Sequence, residues 1–292
     1  MTKHIFWIAS YPKSGNTLVR AILTSLFFSS DGIFNLQMLK HSSQFEMRKR
    51  LNIVKQINKN DFLKLDNLKI LSKYWQVLQS KENINIQKGF GFLKSHSCYV
   101  SMFGNWFTNE EVTAGYIYII RDPRDVAISW SKHTGLNLDQ SINFMLDFKS
   151  CIEWTKSKSE LPNTILPKAF LSSWDEHVLS WTKNTLKVPK LILKYEDLVY
   201  NKLQILENII NFFEVNYKIN FKNIDTIKSN IIKTTNFNSL KKQEEKYGFE
   251  ESNLGAFFRE GKKNQWKNIL NKQQIKKIEN KFRDFMNKFG YE

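Results

Sequence analysis

Residues 10–17, which read Ser-Tyr-Pro-Lys-Ser-Gly-Asn-Thr, combine side-chain types that could bind an anion. Lys13 supplies a positive charge, and Gly15 lets the backbone turn and approach a ligand closely. The N–H groups of such a loop and of a following helical turn converge on one point, where the helix dipole also favours negative charge. We therefore predict an anion site here, called the anion loop below. An ordinary turn with a solvated lysine gives the same pattern.

Lys94 and His96 come at the end of a second apolar segment, Gly89–His96. Alternation along a strand puts their side chains on the same side, and ligands of open α/β sheets bind beyond the carboxyl ends of the strands. We expect both residues to face the crevice of the anion loop. A histidine in that position could act as a general base, but a lone histidine is more often structural.

Arg121 follows a third apolar segment, Ala114–Ile120. Asp122 and Pro123 suit the first positions of a helix, so a strand-to-helix turn is predicted at this point. A guanidinium at the carboxyl end of a strand can bind an oxyanion through two hydrogen bonds. The alternative is an arginine in a surface ion pair.

The elements that must position these residues follow from the apolar pattern. The continuous apolar run 5–9 predicts a strand covered on both faces, and the residues after Thr17 predict a helix. Segments 114–120 and 190–198 read as further strands, which gives an α/β class. Amphipathic patterns predict helices at 45–57 (Phe45, Met47, Leu51, Val54, Ile57), 70–78, 139–154, 173–184, 202–213 and 271–288.

Composition narrows the class of protein. A chain of 292 residues without a Gly/Ser/Pro-rich linker is expected to form one domain, 1–292, with helical insertions at about 29–88 and 134–187. The net charge of +16 favours an anionic partner, but the lysines are spread along the chain and do not by themselves predict nucleic-acid binding. Cys98 and Cys151 have neither metal-ligand spacing nor a reason to pair. Without a membrane-length apolar run or a signal-like segment, we expect a soluble, cytoplasmic protein.

Three segments resemble a known family. Tyr-Pro-Lys-Ser-Gly-Asn-Thr resembles the loop that binds the 5′-phosphosulfate in sulfotransferases using 3′-phosphoadenosine 5′-phosphosulfate (PAPS). Lys94-Ser95-His96 resembles the Lys-Thr-His segment of that family, whose histidine is the general base. Arg121 and Ser129, eight positions apart, match the pair that holds the 3′-phosphate of PAPS.

Three later segments extend the resemblance. Lys190–Leu198 contains the Tyr-Glu-Asp signature of the family, in which the tyrosine, here Tyr195, contacts the adenine. Thr234–Lys241 resembles a Thr-Ser-Phe segment whose aromatic ring stacks on the adenine. Phe257–Lys267 resembles the closing loop that reads Arg-Lys-Gly and then Asp-Trp-Lys. The chain departs from the family at two positions, because Leu18 stands in place of a tryptophan and Glu260 in place of a lysine. Lys262 or Lys263 could compensate for the missing lysine.

The resemblance implies a P-loop-type three-layer sandwich with a central, mainly parallel sheet flanked by helices. It implies transfer of a sulfonate from PAPS to a hydroxyl or amine of a small molecule (alcohol, phenol, sugar or amine), with adenosine 3′,5′-bisphosphate (PAP) as the product and no metal required. The implied catalytic residues are His96, Lys13 and Lys94. The implied donor-binding residues are Lys13, Ser14, Gly15, Asn16, Thr17, Leu18, Arg121, Ser129, Tyr195, Thr235, Asn236, Phe237, Arg259, Glu260 and Gly261.

The resemblance also bears on partners. The usual dimer motif of the family is not matched after the closing loop, so a dimer of that kind is not expected. We expect the acceptor pocket to be lined by 29–88 and 134–172, which contain Phe45, Trp75, Phe144 and Trp154.

Two other functions remain open at this stage. A P-loop kinase or phosphotransferase would share the strand, loop and helix, but the anion loop lacks the Gly-Lys-Ser/Thr ending whose hydroxyl holds magnesium. A basic nucleic-acid-binding protein would explain the charge, but it would leave His96 and Tyr195 without a role.

Overall fold

The computed structural model describes residues 3–47, 55–153, 167–252 and 254–291. The strands of the described residues are β1 (Ile5–Ser10), β2 (Gly91–Ser95), β3 (Ser101–Met102), β4 (Asn105–Trp106), β5 (Thr113–Ile120), β6 (Cys151–Glu153), β7 (Lys168–Phe170) and β8 (Lys190–Lys194). The α-helices are α1 (Asn16–Phe28), α2 (Lys59–Phe62), α3 (Leu68–Leu78), α4 (Pro123–Thr134), α5 (Leu138–Leu146), α6 (Trp174–Thr182), α7 (Tyr195–Tyr200), α8 (Lys202–Tyr217), α9 (Ile224–Thr234), α10 (Phe237–Tyr247), α11 (Trp266–Ile269) and α12 (Lys272–Lys288), with 3-10 helices at Leu36–Ser42 and Lys81–Asn83.

Four parallel strands form the central sheet in the order β2-β1-β5-β8. Every residue of β1, β2 and β5 is buried, because helices cover both faces of the sheet. This double cover explains the continuous apolar runs in the sequence. The order also brings the carboxyl ends of all four strands to one edge, where the anion loop, His96, Arg121 and Tyr195 follow them.

Two apolar layers lie on opposite faces of the sheet. Trp7 and Tyr118 belong to the layer beneath α3, α4, α6 and α12, whereas Phe6 and Ile117 belong to the layer beneath α1, α8 and α9. A third cluster joins α1 to α10 and to Phe258. Helices, sheet and helices therefore make the three-layer α/β arrangement that the sequence predicts, and the fold class is confirmed.

The predicted helix over 139–154 is wrong beyond Leu146. β6 pairs antiparallel with β7, with Cys151 opposite Phe170. The backbone partners of this short strand come from a segment some seventeen residues further along the chain, which local periodicity does not reveal. Trp154 lies outside the described residues.

The predicted helix over 45–57 is wrong at both described ends. Gln44 forms a parallel bridge to Lys94, and the Phe45 N–H donates to the Lys94 carbonyl oxygen at 2.8 Å, so this stretch extends along β2. Residues 55–57 form a turn. Leu51 and Val54 lie outside the described residues. The helices predicted near 70–78, 173–184, 202–213 and 271–288 are present as α3, α6, α8 and α12.

Cys98 is buried, and Cys151 is partly buried. No disulfide joins Cys98 and Cys151 in the described structure, and the Cys98 thiol donates to the Leu171 carbonyl oxygen in the core. Within the described ranges, every helix is too short or too polar to cross a bilayer.

Candidate functional site

The anion loop joins the end of β1 to the first turn of α1, and two residues in it have left-handed backbone. Gly15 has φ 99°, and Lys13 has φ 64°, which is uncommon for a residue with a side chain. The Asn16 side-chain N–H donates to the Ile8 carbonyl oxygen at 2.8 Å and so fastens the start of α1 to β1. The loop is therefore held in a fixed shape, and the Asn16 side chain serves the backbone.

Lys13 lies at the centre of the site. Its Nζ atom is buried and lacks a hydrogen-bond partner among the described residues, and it lies 3.8 Å from the centroid of the Phe257 ring. Burial, together with the charges of Arg259, Lys94 and Arg121, lowers the pKa of Lys13 to about 7. Four cationic side chains thus converge from four segments, and an anion bound among them would relieve both the repulsion and the missing hydrogen bonds.

Arg121 points toward the anion loop. Its Nη1 donates to the Lys13 carbonyl oxygen at 2.8 Å, and its guanidinium carbon lies 4.1 Å from the centroid of the Tyr195 ring. Its Nε is buried with no partner in the part of the chain that the structure describes. Arg121 therefore keeps a donor for a ligand while it braces the loop, and the surface ion pair considered above is excluded.

Gly15 lies against the ring of Tyr195, and Gly261 lies against the ring of Phe237. A Cβ at Gly15 would lie 2.7 Å from Tyr195 Cδ2, and a Cβ at Gly261, which has φ 61°, would lie 2.4 Å from Phe237 Cδ2. Both distances are far inside van der Waals contact. Tyr195 and Phe237 therefore pack on backbone that only glycine can supply, and this fixes where the rings stand beside the cationic groups.

Ser129 and Arg259 also come together. The Arg259 Nη2 donates to the Ser129 carbonyl oxygen at 3.4 Å, and its Nη1 donates to the Lys132 carbonyl oxygen at 3.0 Å. Glu260 turns outward and pairs with the Lys132 ammonium at 3.6 Å. Lys263, which could compensate for the lysine missing at position 260, has its Nζ atom 4.6 Å from the centroid of the Tyr200 ring. Glu260 thus neutralises a lysine of α4 at the surface.

His96 is fixed with one ring nitrogen free for chemistry. Its Nδ1 donates to the Ser10 carbonyl oxygen at 2.8 Å, so the proton of the neutral ring is on Nδ1 and Nε2 carries the lone pair. Burial lowers the pKa of His96 well below its usual range, and the charge of Lys94 lowers it further. The ring is therefore neutral at physiological pH, which is the form that accepts a proton.

His177 braces the backbone of His96. Its Nε2 donates to the His96 carbonyl oxygen at 3.0 Å, and its Nδ1 accepts from the Tyr118 hydroxyl at 2.9 Å. Both ring nitrogens are engaged and the residue is fully buried. His177 thus has a packed, structural role, and its link to His96 is a contact that the sequence did not indicate.

Lys94 is held by an acid that sequence reasoning missed. Its Nζ donates to Glu251 Oε2 at 2.8 Å, and the same carboxylate accepts from Arg20 and, at 3.5 Å, from the Thr17 hydroxyl. No local pattern signals this contact, because Glu251 follows α10 and is more than 150 residues from Lys94.

His133 is a second residue that the sequence analysis missed. Burial and the charges of Lys13, Lys94 and Arg259 lower its pKa to about 3, so it lies near the cationic groups as a neutral ring. It stands one helical turn beyond Ser129 on α4. That spacing was a usable signal, since residues four apart share a helix face.

The remaining predicted donor-binding residues have local roles. The Thr235 hydroxyl donates to the Ile231 carbonyl oxygen, and the Asn236 side chain caps α10 by accepting from the Ser239 N–H at 2.9 Å. The Ser14 hydroxyl is buried without a partner among the described residues. Leu18 packs against two of the core clusters.

A cavity of about 630 Å³ opens between the two insertions. Phe144 lines it, but Phe45 and Trp75, which were also expected at the acceptor pocket, are 3% and 2% exposed and belong to the core. Neither His96 nor Lys13 is among the described residues that line it. The cavity is lined by Asp66, Asn67, Leu68, Phe144, Asp147, Lys149, Ser150, Cys151 and Lys168.

Comparison with known sequences gives one family. A family model described as "Sulfotransferase domain" matches residues 3–290. Sulfotransferase 2A2 of Rattus norvegicus is 25% identical over 184 residues, which span 59% of this chain and 56% of the rat protein. Luciferin sulfotransferase of Photinus pyralis is 25% identical over 285 residues, 93% of this chain and 69% of the firefly protein. The chain thus spans little more than half of the rat relative.

Comparison with solved structures gives the same fold. A retinol dehydratase structure in complex with retinol and PAP has a TM-score of 0.59 at 21% identity, covering 98% of this chain and 82% of the other. Mouse sulfotransferase SULT7A1 in complex with PAP has a TM-score of 0.56 at 18% identity, covering 97% and 84%. The matched motifs and the family model extend over nearly the whole chain, and the chain therefore belongs to the sulfotransferase domain family.

Proposed function

We propose that this chain transfers a sulfonate group from PAPS to a hydroxyl or amine of a small molecule. The observation that carries the proposal is the state of Lys13, whose Nζ atom is buried without a hydrogen-bond partner among the described residues. The neighbouring charges of Arg259, Lys94 and Arg121 make the site strongly selective for an anion. PAPS, with its 3′-phosphate and phosphosulfate, supplies negative charge for these cationic groups.

Each part of the donor has residues suited to it. Lys13 and the N–H groups of the anion loop would bind the 5′-phosphosulfate, because they lie at the start of α1. Arg121, Ser129 and Arg259 would bind the 3′-phosphate. The rings of Tyr195 and Phe237 would contact the adenine, on a scale of about 1–3 kcal/mol for a stacked base.

The chain's own residues supply the acid–base chemistry. His96 Nε2 takes the proton of the acceptor O–H or N–H, while the acceptor atom attacks sulfur in line with the bond to the 5′-phosphate oxygen. That S–O bond breaks, and its electron pair stays on the phosphate oxygen. Lys13 and Lys94 stabilise the charge that develops there. A sulfonate carries less charge than a phosphoryl group, so these residues suffice without a magnesium clamp.

The acceptor is proposed as a small molecule of the alcohol, phenol, sugar or amine class. Retinol dehydratase, which has a similar fold, is bound to retinol in one solved structure and to androsterone in another. A single catalytic domain and a cytoplasmic location stay predictions from the sequence.

Calorimetry with PAP tests the donor, and transfer of label from ³⁵S-PAPS to a panel of acceptors, with and without EDTA, tests the reaction. We expect PAP binding and EDTA-resistant transfer. Failure to bind PAP, together with magnesium-dependent ATP turnover, would identify a phosphotransferase instead. A steep, salt-dependent affinity for DNA without PAP binding would identify a nucleic-acid-binding protein.

A further inference from the structure

Residues 248–252 and 254–261, called the closing segment below, overlap the start of the closing loop Phe257–Lys267. This segment places the carboxylate of Glu251 next to the cationic groups of the site. The Glu251 carboxylate lies after α10, and its side chain is 22% exposed. It accepts hydrogen bonds from Lys94 at 2.8 Å, from Thr17 at 3.5 Å and from Arg20. Burial raises its pKa, but Arg20 and Lys94 outweigh burial and hold the pKa well below its usual range, so Glu251 is ionised.

The partners of Glu251 are of two kinds. Arg20 also donates to the carbonyl oxygens of Ser42 and Leu39, so its guanidinium keeps partners if the carboxylate leaves. In the proposed function Lys94 stabilises the charge that develops on the 5′-phosphate oxygen, and Thr17 belongs to the anion loop that binds the phosphosulfate. The Glu251 carboxylate thus accepts hydrogen bonds from the Lys94 ammonium and the Thr17 hydroxyl, two groups that are proposed to bind the anionic donor.

The closing segment also covers Lys13. Phe257 lies on the Lys13 ammonium at 3.8 Å, while the N–H of Phe258 donates to the Glu244 carboxylate of α10 at 2.8 Å. One segment therefore contacts both cations that are assigned to the phosphosulfate. The oxygens of a bound phosphosulfate would need the space around the Lys94 and Lys13 ammonium groups that Glu251 and Phe257 occupy.

We propose that Glu251 sets the affinity for the donor by competing with the phosphosulfate for Lys94 and Thr17. Donor binding then displaces the carboxylate, and the free energy of its charge-assisted hydrogen bonds is subtracted from the free energy of binding. This inference rests on the proposed function. It predicts that loss of the Glu251 charge strengthens binding, whereas a purely structural acid would weaken binding when removed.

Calorimetry with PAP and the full chain tests the inference in Glu251→Gln. We expect binding about tenfold tighter than in the wild type, in line with the loss of one competing charged contact. Glu250→Gln is the matched control, because it removes the same charge from the neighbouring, exposed residue. Its affinity should equal that of the wild type. Thermal unfolding with saturating PAP provides a second readout, in which the rise in Tm should be larger for Glu251→Gln.

The outcomes separate the two proposals. If the wild type and Glu251→Gln both fail to bind PAP, the proposed function and this inference are both wrong. If the wild type binds PAP and Glu251→Gln binds equally or more weakly, only the inference is wrong, as it is if Glu250→Gln tightens binding as much. Should Glu251→Gln not fold, Glu251→Asp withdraws the carboxylate by one methylene, and binding no tighter than in the wild type would overturn the inference.

Discussion

The ring of His96 has its two nitrogens assigned by one hydrogen bond. A carbonyl oxygen can only accept, so the contact with Ser10 puts the proton on Nδ1 and leaves Nε2 for the acceptor. The same hydrogen bond ties the candidate base to the last residue of β1, next to the anion loop. The position of the base and the position of the loop therefore depend on each other.

Replacement of His96 by asparagine separates these two roles. The Asn Nδ2 can take the place of Nδ1 and donate to Ser10, but the variant has no group at the position of Nε2. We expect turnover to fall by about 10²–10⁴-fold, the usual contribution of a general base, with PAP affinity unchanged. Steady-state kinetics and calorimetry measure the two quantities.

His41→Ala is the control for loss of an imidazole, because His41 stacks on Phe28 at the opposite end of α1 from the anion loop. Its turnover should match that of the wild type. Full turnover in His96→Asn would remove this residue from the chemistry.

Lys13 predicts a pH dependence of donor binding. Its pKa of about 7 means that the ammonium loses its proton as pH rises through 7, while an anionic ligand favours the protonated form. PAP affinity should therefore be highest near pH 7 and should fall by up to about tenfold per pH unit toward pH 9, with net proton uptake on binding. Calorimetry in buffers of different ionisation enthalpy measures both effects.

Lys13→Arg is the matched control for this pH dependence. A guanidinium stays charged over the whole range, so affinity should vary little with pH between 7 and 9. If the PAP affinity of the wild type also varied little between pH 7 and pH 9, Lys13 would either still be charged at pH 9 or not contact the ligand.

At the scale of elements, the shape of the anion loop depends on the packing of Tyr195 against Gly15. A methyl group at Gly15 meets the ring at 2.7 Å and also imposes an unfavourable backbone conformation at φ 99°. We expect Gly15→Ala to weaken PAP binding by about tenfold or more, since small displacements of binding groups have large effects. Its Tm should fall as well.

Gly89→Ala is the control for the backbone part of this effect. Gly89 has φ 88°, its Cβ would have no neighbour within 4 Å, and it lies before β2, at the opposite end of the strand from His96. The variant should lose stability by about 1–2 kcal/mol while keeping PAP affinity. Equal PAP affinity in Gly15→Ala and in the wild type would contradict the role of the ring contact.

The sequence predicted the elements whose pattern is local and missed those that depend on distant partners. The apolar runs of β1 and β5 and the Asp-Pro start of α4 are sufficient signals, because burial on two faces and helix capping act within a few residues. β6 has no such signal, since it exists through its pairing with β7. The same reason explains the residues of the site. Lys13 and Arg121 were indicated by motif and strand end, whereas Glu251 depends on how the chain after α10 returns to Lys94.

At the scale of the whole molecule, the positive charge has two separate parts. Lys94, Arg121 and the Nζ atom of Lys13 lie buried at one edge of the sheet, whereas many other lysines are exposed on helix faces. Buried charges are screened little by salt, but exposed charges separated by more than about 8–10 Å are largely screened at physiological ionic strength. The two parts should therefore respond differently to salt.

This difference predicts how the chain treats two anions. PAP binding should weaken by less than about tenfold between 50 and 200 mM NaCl, since its partners are buried and few. Any association with duplex DNA depends on exposed lysines and on release of counterions, so it should weaken by about 10³-fold or more over the same range if six or more phosphates are contacted. Calorimetry with PAP and fluorescence anisotropy with a labelled duplex measure the two slopes. A PAP slope as steep as the DNA slope would mean that the exposed charge, and not the buried cluster around Lys13, binds the nucleotide.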